Sequence, residues 1–255
     1  MAGTIAGSDC SGGAGIQADL KTFSALGVWG CTVVTAVTAQ TGSGVTGIWK
    51  ESPESVAAQL DAITGEFPVA AWKTGMLATR DIVRTVAGRL DSRVPLVIDP
   101  VLVASGGQAL LDEDAVELFI RELVPKATLI TPNLAEAAKL SGLGSLASDK
   151  DIIRAGDRIL ELGPEYVLIK GGHRATGDVT DILVGKETVR NYPGTRYPYD
   201  PHGTGCTLSA AITAYLARDN VPVEEAVFLG KQFVENAVRS AMRTRAGWQV
   251  HPGPV

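Results

Sequence analysis

A glycine-rich turn that runs into a helix of small residues is the strongest chemical motif in the chain. It reads His202-Gly203-Thr204-Gly205-Cys206-Thr207-Leu208-Ser209-Ala210-Ala211. The start of a helix presents unpaired N–H groups and a partial positive charge, and glycines leave room for phosphate oxygens. We therefore predict that this turn holds a phosphoryl group during its transfer.

Cys206 lies in the predicted first turn of that helix. The field at a helix N-terminus lowers the pKa of a thiol, so the motif predicts a thiolate that serves as a base. The alternative is a buried cysteine that acts as a small hydrophobic residue. The motif alone leaves both interpretations open.

A second glycine motif, Gly7-Ser8-Asp9-Cys10-Ser11-Gly12-Gly13-Ala14-Gly15, follows a predicted strand and opens a helix. It is interpreted as a substrate-contacting loop or a tight structural turn. Residues 13–18 also match the dinucleotide pattern G-x-G-x-x-A. Such a site needs an acidic residue about 20 positions on, and no Asp or Glu lies between Leu20 and Lys50. A nicotinamide-dependent oxidoreductase is therefore disfavoured.

Two further motifs follow predicted strands. In Thr131-Pro132-Asn133-Leu134-Ala135-Glu136, Asn133 and Glu136 are spaced to order magnesium-bound water near a nucleotide phosphate, or to cap a helix. In Lys170-Gly171-Gly172, the lysine is a phosphate ligand or a surface charge. Ligands of α/β proteins bind at this edge of the sheet, so both motifs are candidates for a nucleotide site.

Short apolar runs alternate with segments of helical periodicity, which predicts one α/β domain over residues 1–255 with a mostly parallel sheet. The predicted strands are Thr4–Ala6, Cys31–Thr38, Ala70–Lys73, Leu96–Asp99, Leu129–Thr131 and Tyr166–Lys170, with a hairpin of Asp181–Val184 and Thr188–Tyr192. The predicted helices are Ile16–Leu26, Pro53–Thr64, Asp81–Leu90, Asp112–Leu123, Leu134–Leu140, Lys150–Leu162, Gly205–Ala217 and Val223–Arg243.

Composition narrows the classes of function. The 255 residues carry 23 Lys and Arg against 28 Asp and Glu, a net charge of −5, which argues against binding nucleic acid or an anionic membrane. Three scattered cysteines predict neither a disulfide framework nor a thiolate zinc site. No secretion signal or membrane span is recognised, so we expect a cytoplasmic protein.

The motifs, in this order, resemble the ribokinase-like superfamily, and within it the hydroxymethylpyrimidine/phosphomethylpyrimidine kinases of thiamine biosynthesis. The segments that carry the resemblance are residues 6–9, 12–22, 36–40, 73–77, 99–101 and 202–211. The resemblance implies a three-layer α/β/α fold, a homodimer, and two successive phosphorylations by ATP and Mg²⁺. The acceptors would be 4-amino-5-hydroxymethyl-2-methylpyrimidine and then its monophosphate.

The resemblance also implies roles for individual residues. Cys206 matches the family's candidate base, and Gly203, Thr204 and Gly205 match its anion hole. Gln40 matches the glutamine that hydrogen-bonds the aminopyrimidine, as an amide that both donates and accepts can do. The other substrate-binding matches are Gly12, Asp19, Met76 and Val101. Those for ATP are Asn133, Lys170, Gly172, Thr204 and Lys231, with Glu136 holding Mg²⁺ through water.

Two alternatives accompany this reading, a pyridoxal kinase on the same fold and a silent sensor that binds pyrimidine without turnover. The intact Gly203, Gly205 and Cys206 argue against the sensor. The chain departs from the family pattern at Cys10 and at Ser105-Gly106-Gly107, the second of which could alter phosphate contacts during the second transfer.

Overall fold

The computed structural model describes residues 1–103, 110–172, 179–218, 221–245 and 247–253, so the Ser105-Gly106-Gly107 departure lies outside the described residues. One sheet dominates, in the order β3-β2-β1-β4-β5-β6-β7-β8-β9. Its strands are β1 (Ala2–Asp9), β2 (Gly30–Thr41), β3 (Gly44–Lys50), β4 (Ala71–Thr74), β5 (Leu96–Ile98), β6 (Leu129–Ile130), β7 (Tyr166–Ile169), β8 (Val179–Gly185) and β9 (Thr188–Gly194). The six central strands, β2, β1, β4, β5, β6 and β7, are parallel to one another. The outer strands β3, β8 and β9 run antiparallel to their neighbours.

Helices cover both faces of the sheet, so the predicted three-layer α/β/α fold is confirmed. The helices are α1 (Gly15–Ala25), α2 (Pro53–Glu66), α3 (Arg80–Arg89), α4 (Glu113–Leu118), α5 (Leu134–Ser141), α6 (Asp149–Leu160), α7 (Thr204–Leu216) and α8 (Val223–Arg239). Helices α2 to α6 pack on one face, whereas α1, α7 and α8 pack on the other.

Alternation along the central strands explains why both faces are apolar. In β5, Leu96 and Ile98 join the core beneath α2 to α6, while Val97 joins the core beneath α7 and α8. Successive side chains of a strand point to opposite faces, so an uninterrupted apolar run serves both layers. The apolar runs that predicted these strands therefore reflect their two-sided burial.

Two predicted helices end differently in the structure. The predicted helix Asp112–Leu123 is α-helical only over Glu113–Leu118, and a π-helical turn and a 3-10 turn follow up to Lys126. Pro125 explains the irregular end, because its ring and missing N–H disfavour a continuing helix. The predicted Val223–Arg243 helix stops at Arg239, and residues 242–244 form a strand that pairs with residues 247–249.

Strand β3 was not predicted. It pairs antiparallel with β2 after a tight turn, and Gly44 and Gly47 dilute its apolar pattern. Glycine weakens strand propensity, whereas the Gly42-Ser43-Gly44 turn is the local signal that could have indicated a hairpin.

A fully buried ion pair ties the sheet to α1 beneath the site. Lys73 Nζ on β4 lies 2.6 Å from Asp19 Oδ1 on α1, and Thr4 Oγ1 on β1 donates to the other carboxylate oxygen at 2.6 Å. Both charged side chains are completely inaccessible to solvent. Breaking such a pair leaves an uncompensated buried charge, which makes it a strong structural constraint.

Among the helices that the structure describes, none combines the length and apolar character that crossing a bilayer requires.

We predict that Lys73→Met lowers the free energy of unfolding by about 3–5 kcal/mol, because the buried Asp19 loses its cation and keeps only the hydrogen bond from Thr4. The matched control is Lys50→Met, which breaks an exposed pair with Asp112 and should cost no more than about 1 kcal/mol. Urea denaturation measures both values. Equal losses in the two variants would contradict the assigned importance of the buried pair.

Candidate active site

Helix α7 begins at a glycine rather than at a capping side chain. Its N-cap is Gly203, with a φ of +95°, and none of the described side chains caps the helix by a hydrogen bond. A Cβ at this position would also overlap the carbonyl oxygen of Gly13. Glycine is therefore required by both conformation and contact. The amides of the first turn remain available to an anion, as the motif predicted.

The second glycine motif packs directly against this turn. Asp9 organises the loop by accepting hydrogen bonds from Ser11 N at 2.9 Å, Ser11 Oγ at 3.0 Å and Ala14 N at 2.8 Å. Burial raises the pKa of Asp9, but the neighbouring His202 ring and the bonds from Ser11 and Ala14 outweigh it and lower the pKa to about 2. Asp9 is thus an anion that holds the loop's shape at neutral pH.

Cys206 lies where the two glycine motifs meet. The backbone N–H of Gly15, the first residue of α1, donates to its sulfur, while Cys206 itself lies in the first turn of α7. Burial nevertheless raises the pKa of the thiol to about 11; Lys73 lowers it, and Asp99 and Asp19 raise it further. The pKa of this thiol is therefore raised rather than lowered as the motif predicts, because burial and the two carboxylates outweigh Lys73 and the Gly15 N–H. The resting thiol is protonated at neutral pH.

Charged residues at the ends of β5, β6 and β7 meet beside the start of α7. Lys170 Nζ lies 2.9 Å from Asp99 Oδ1, and a Cβ at Gly205 would approach that ammonium to 3.3 Å. Burial opposes the charge of Lys170, but Asp99 and Glu136 outweigh it and raise its pKa. The lysine is thus a largely buried cation, 15% exposed, beside the start of the helix rather than a surface charge.

Asn133 and Glu136 cap a helix, as one interpretation of their motif predicts, and a role beside magnesium stays a prediction. Asn133 Oδ1 accepts from Glu136 N at 2.9 Å, and Glu136 Oε2 accepts from Asn133 N at 2.8 Å, so the pair caps α5. Both residues also border the cavity. Burial raises the pKa of Glu136 to about 7; Lys170 lowers it and Asp99 raises it. A cation beside this carboxylate would relieve that electrostatic cost.

Lys231 marks the opposite side of the cavity. Its Nζ lies 2.8 Å from Asp181 Oδ2 and donates to the carbonyl of Val179 at 3.3 Å. The other oxygen of Asp181 accepts from Gly171 N at 2.8 Å. Asp181 therefore connects Lys231 on α8 to the loop that contains Gly171 and Gly172, although these residues are far apart in the sequence.

Gln40 borders the same cavity beside His202. Its Nε2 is 3.1 Å from His202 Nε2, and its Oε1 accepts from Thr38 Oγ1 at 3.2 Å. Met76 is buried and packs in a small apolar cluster that Val101 also contacts. An amide beside an apolar wall suits a flat heteroaromatic ring.

Asp19 and Gly12 are placed differently from their expected roles. Asp19 is buried beneath the cavity surface with both oxygens bonded to Lys73 and Thr4. Gly12 is also absent from the cavity wall, and its carbonyl accepts from Lys21 Nζ at 2.6 Å. The structure therefore corrects the expectation of direct contact to a supporting position for both residues.

The remaining expected residues border one cavity of about 900 Å³. These are Gln40, Met76, Val101, Asn133, Glu136, Lys170, Gly172, Gly203, Thr204, Gly205, Cys206 and Lys231. Sequence reasoning assigned no role to Lys73, Asp99, Asp181 or His202, which also border it. Asp99 directly follows β5, so its place at a strand's carboxyl end was a usable signal.

The charges fit a nucleotide with its magnesium ion. The described residues contain no preformed group of three acidic, histidine or cysteine side chains able to hold a metal. Magnesium bound to a nucleotide needs only one or two protein carboxylates, since phosphates and water supply its other ligands. Glu136 and Asp99, whose mutual repulsion raises the pKa of Glu136, meet that need.

Comparison with known proteins identifies the family. Residues 9–252 match the family model described as phosphomethylpyrimidine kinase. The chain belongs to the phosphomethylpyrimidine kinase family. It is 46% identical over 248 residues to the hydroxymethylpyrimidine/phosphomethylpyrimidine kinase of Rhizobium meliloti, covering 96% of this chain and 92% of that protein. The Escherichia coli kinase of the same name is 40% identical, with 98% and 94% covered.

Solved structures show the same fold in two kinds of kinase. A phosphomethylpyrimidine kinase from Clostridium difficile has a TM-score of 0.82 and 42% identity, covering 93% of this kinase chain and 98% of its own. A Bacillus subtilis pyridoxal kinase bound to ADP has a TM-score of 0.90 and 38% identity, covering 99% and 97%. A Staphylococcus aureus pyridoxal kinase bound to pyridoxal has a TM-score of 0.90 and 35% identity, covering 99% and 93%.

We predict that Cys206 reacts with iodoacetamide as a thiol whose pKa is near 11. In a Cys10→Ser/Cys31→Ser background, the alkylation rate should still rise tenfold per pH unit at about pH 9.5, because only the thiolate reacts. The urea-unfolded chain serves as the control and should level off above about pH 8.5. An alkylation rate of the folded protein that already levels off below about pH 9.5 would show that burial does not raise the pKa of this thiol.

Proposed function

We propose that this kinase transfers the γ-phosphoryl group of ATP to the hydroxymethyl oxygen of 4-amino-5-hydroxymethyl-2-methylpyrimidine, and then phosphorylates the resulting monophosphate. The observation that carries the proposal is the shared cavity. Its wall includes both the start of α7 with Cys206 and the Gln40 carboxamide. Family membership and the Rhizobium meliloti relative, named for this pair of reactions, support the same substrates.

The nucleotide lies along the charged side of the cavity in this proposal. Lys170 and the α7 amides of Gly203, Thr204 and Gly205 bind the transferring phosphoryl group. Asn133, Gly172 and Lys231 bind the rest of ATP, and Glu136 holds Mg²⁺ through water. The magnesium ion supplies charge neutralisation between the phosphates. Support comes from the Bacillus subtilis structural neighbour, a pyridoxal kinase whose structure is an ADP complex.

The pyrimidine lies between Gln40 and the apolar wall of Met76 and Val101. The carboxamide hydrogen-bonds the ring, which turns the hydroxymethyl group toward Cys206. Positioning of this kind supplies much of the catalysis in phosphoryl transfer, because the loose transition state needs little covalent assistance.

Proton transfer completes the reaction. Cys206 is a protonated thiol at rest, so it first loses its proton to solvent. The hydroxymethyl oxygen then forms a bond to the γ-phosphorus as the bond to the β-bridging oxygen breaks, and the hydroxyl proton goes to the Cys206 thiolate. Burial disfavours that thiolate, whereas Lys73 and the Gly15 N–H stabilise it. The same helix N-termini that bind phosphate therefore also determine how readily the base forms.

We predict that Cys206→Ala lowers kcat for the pyrimidine about 100-fold, since a positioned base contributes at least that factor. KM for ATP should stay unchanged, because the α7 amides remain. Cys31→Ala is the control: Cys31 is a buried cysteine of β2 outside the cavity wall. Coupled measurement of ADP release tests both variants, and near-normal turnover of Cys206→Ala would remove the thiol from the mechanism.

A pyridoxal kinase is the second candidate function. It is favoured by one observation, the TM-score of 0.90 to the Bacillus subtilis and Staphylococcus aureus pyridoxal kinases. Measuring kcat/KM for the hydroxymethylpyrimidine, its phosphate and pyridoxal separates the two. The proposed function requires the pyrimidine to be the better substrate.

We also propose that the kinase is a homodimer, as its family resemblance implies. The β2–β3 hairpin places Val37 opposite Trp49, and both are exposed, Trp49 by 63%. An exposed aromatic and aliphatic pair is suited to an interface between copies.

We predict that light scattering gives the mass of two chains, and that Trp49→Lys shifts the protein toward one chain. A lysine in an apolar interface carries an unpaired charge, which opposes association. Trp29→Lys, at the equally exposed tryptophan before β2, should leave the mass unchanged. A single-chain mass for the unaltered protein would rule out the dimer.

We further propose that the kinase works in the cytoplasm. Cys10, Cys31 and Cys206 are all free thiols in the structure. Free thiols suit a reducing compartment, as does a reaction that consumes ATP.

A further inference from the structure

The carboxylate of Asp181 lies between two parts of the proposed nucleotide site. Its Oδ1 accepts from Gly171 N at 2.8 Å, and its Oδ2 lies 2.8 Å from Lys231 Nζ. A backbone N–H and an ammonium can only donate, so the direction of both hydrogen bonds is fixed. Asp181 on β8 therefore joins the loop after β7 to helix α8, with one oxygen for each.

The side chain of Lys231 crosses the outermost strand to reach this carboxylate. Strand β9 lies at the edge of the sheet beside β8. A Cβ at Gly194 of β9 would lie 2.8 Å from Lys231 Cε, so this glycine leaves the space that the lysine stem occupies. The ammonium then donates to Asp181 and, at 3.3 Å, to the carbonyl of Val179. These contacts hold a long and flexible side chain in one course.

The other oxygen of Asp181 holds the loop that follows Lys170. Gly171 is the next residue after this lysine, and a Cβ at Gly171 would overlap the carbonyl oxygen of Thr180. The loop therefore packs directly against β8. Both Lys170 and Lys231 border the cavity. Asp181 thus connects the two sides from which ammonium groups face the proposed phosphates.

An anion in this position has two opposite effects on the binding of a nucleotide. Its charge repels phosphates, so by Coulomb's law alone its removal would strengthen binding. Its hydrogen bonds keep the ammonium of Lys231 in place, so its removal would leave the ligand to order that side chain. The side chains of Lys231 and Asp181 are only 11% and 9% exposed, which favours the second effect because the pair is ordered inside the protein.

We propose that Asp181 is a positioning residue for the phosphoryl donor, because it holds Lys231 and the Gly171 loop in the arrangement that binds the phosphates of the nucleotide. The inference rests on the proposed function, since it takes Lys231 and Gly172 as contacts of ATP. It adds to that function a residue that acts through its two partners.

The experiment measures binding of the ATP analogue AMP-PCP with Mg²⁺, and separately of the hydroxymethylpyrimidine, by calorimetry, which needs no turnover. Asp181→Asn keeps an oxygen for the Gly171 N–H but presents to Lys231 an amide nitrogen, which cannot accept. AMP-PCP should bind about fivefold more weakly, the effect of having to order one long side chain. The affinity for the pyrimidine should stay within about twofold of its original value.

A double-variant cycle tests whether Asp181 acts through Lys231. In a Lys231→Met background, Asp181→Asn should cause no further weakening of AMP-PCP binding, since no ammonium remains to be held. The matched control is Asp112→Asn, which makes the same substitution in the exposed pair with Lys50 and should leave both affinities unchanged.

A measurement on the unaltered chain keeps the test decisive if Asp181→Asn does not fold. In protein labelled with ¹⁵N-lysine, an ammonium held by buried hydrogen bonds exchanges its protons slowly and gives a resolved NMR signal. The signal of Lys231 is assigned by its loss in Lys231→Arg. We expect this signal before any nucleotide is added. A signal that forms only after AMP-PCP binds would show that the ligand orders the lysine, which would overturn the proposal.

Unchanged or stronger binding of AMP-PCP by Asp181→Asn would also overturn the proposal, because repulsion would then outweigh positioning. Equal weakening of AMP-PCP and of the pyrimidine would overturn it, and so would a loss that persists in the Lys231→Met background. If Asp181→Asn selectively loses AMP-PCP binding but the unaltered chain transfers no phosphate to the pyrimidine, the proposed function fails while the positioning role stands.

Discussion

The contact between the Gly13 carbonyl and Gly203 is the constraint on which the site depends. Only glycine fits at position 203, because its φ is +95° and a Cβ would overlap that carbonyl. The contact brings together two loops from opposite ends of the chain, and with them the N-termini of α1 and α7. Neither helix has a side-chain cap among the described residues, and the first amide of α1, the Gly15 N–H, donates to the sulfur of Cys206 in the first turn of α7.

Buried charges around this point occur in pairs that cross between elements. Lys73 pairs with Asp19, Lys170 with Asp99, and Lys231 with Asp181. Each pair avoids the cost of an isolated buried charge and holds an ammonium beside the cavity. Within the described residues Glu136 forms no ion pair of this kind, and its raised pKa reflects both burial and the nearby Asp99. The site is therefore arranged to accept both an anion and a cation.

Much of this arrangement could be predicted from local sequence. The glycine turn before α7, the strand ends at Asp99 and Lys170, and the Asn133–Glu136 cap each depend on residues a few positions apart. Three features could not be predicted, because each depends on burial or on contacts between distant segments. They are the supporting position of Asp19, the raised pKa of Cys206 and the contact between Gln40 and His202. Strand β3 was not predicted for a related reason. Its glycines have low strand propensity, and the strand forms because it pairs with β2.

The most direct test of this account is a crystal structure with a non-hydrolysable ATP analogue, Mg²⁺ and the hydroxymethylpyrimidine bound together. The account predicts that the terminal phosphoryl oxygens accept hydrogen bonds from the first-turn amides of α7, with the hydroxymethyl oxygen between phosphorus and the Cys206 sulfur. A terminal phosphoryl group bound away from these amides, or a pyrimidine bound away from Gln40, would contradict it.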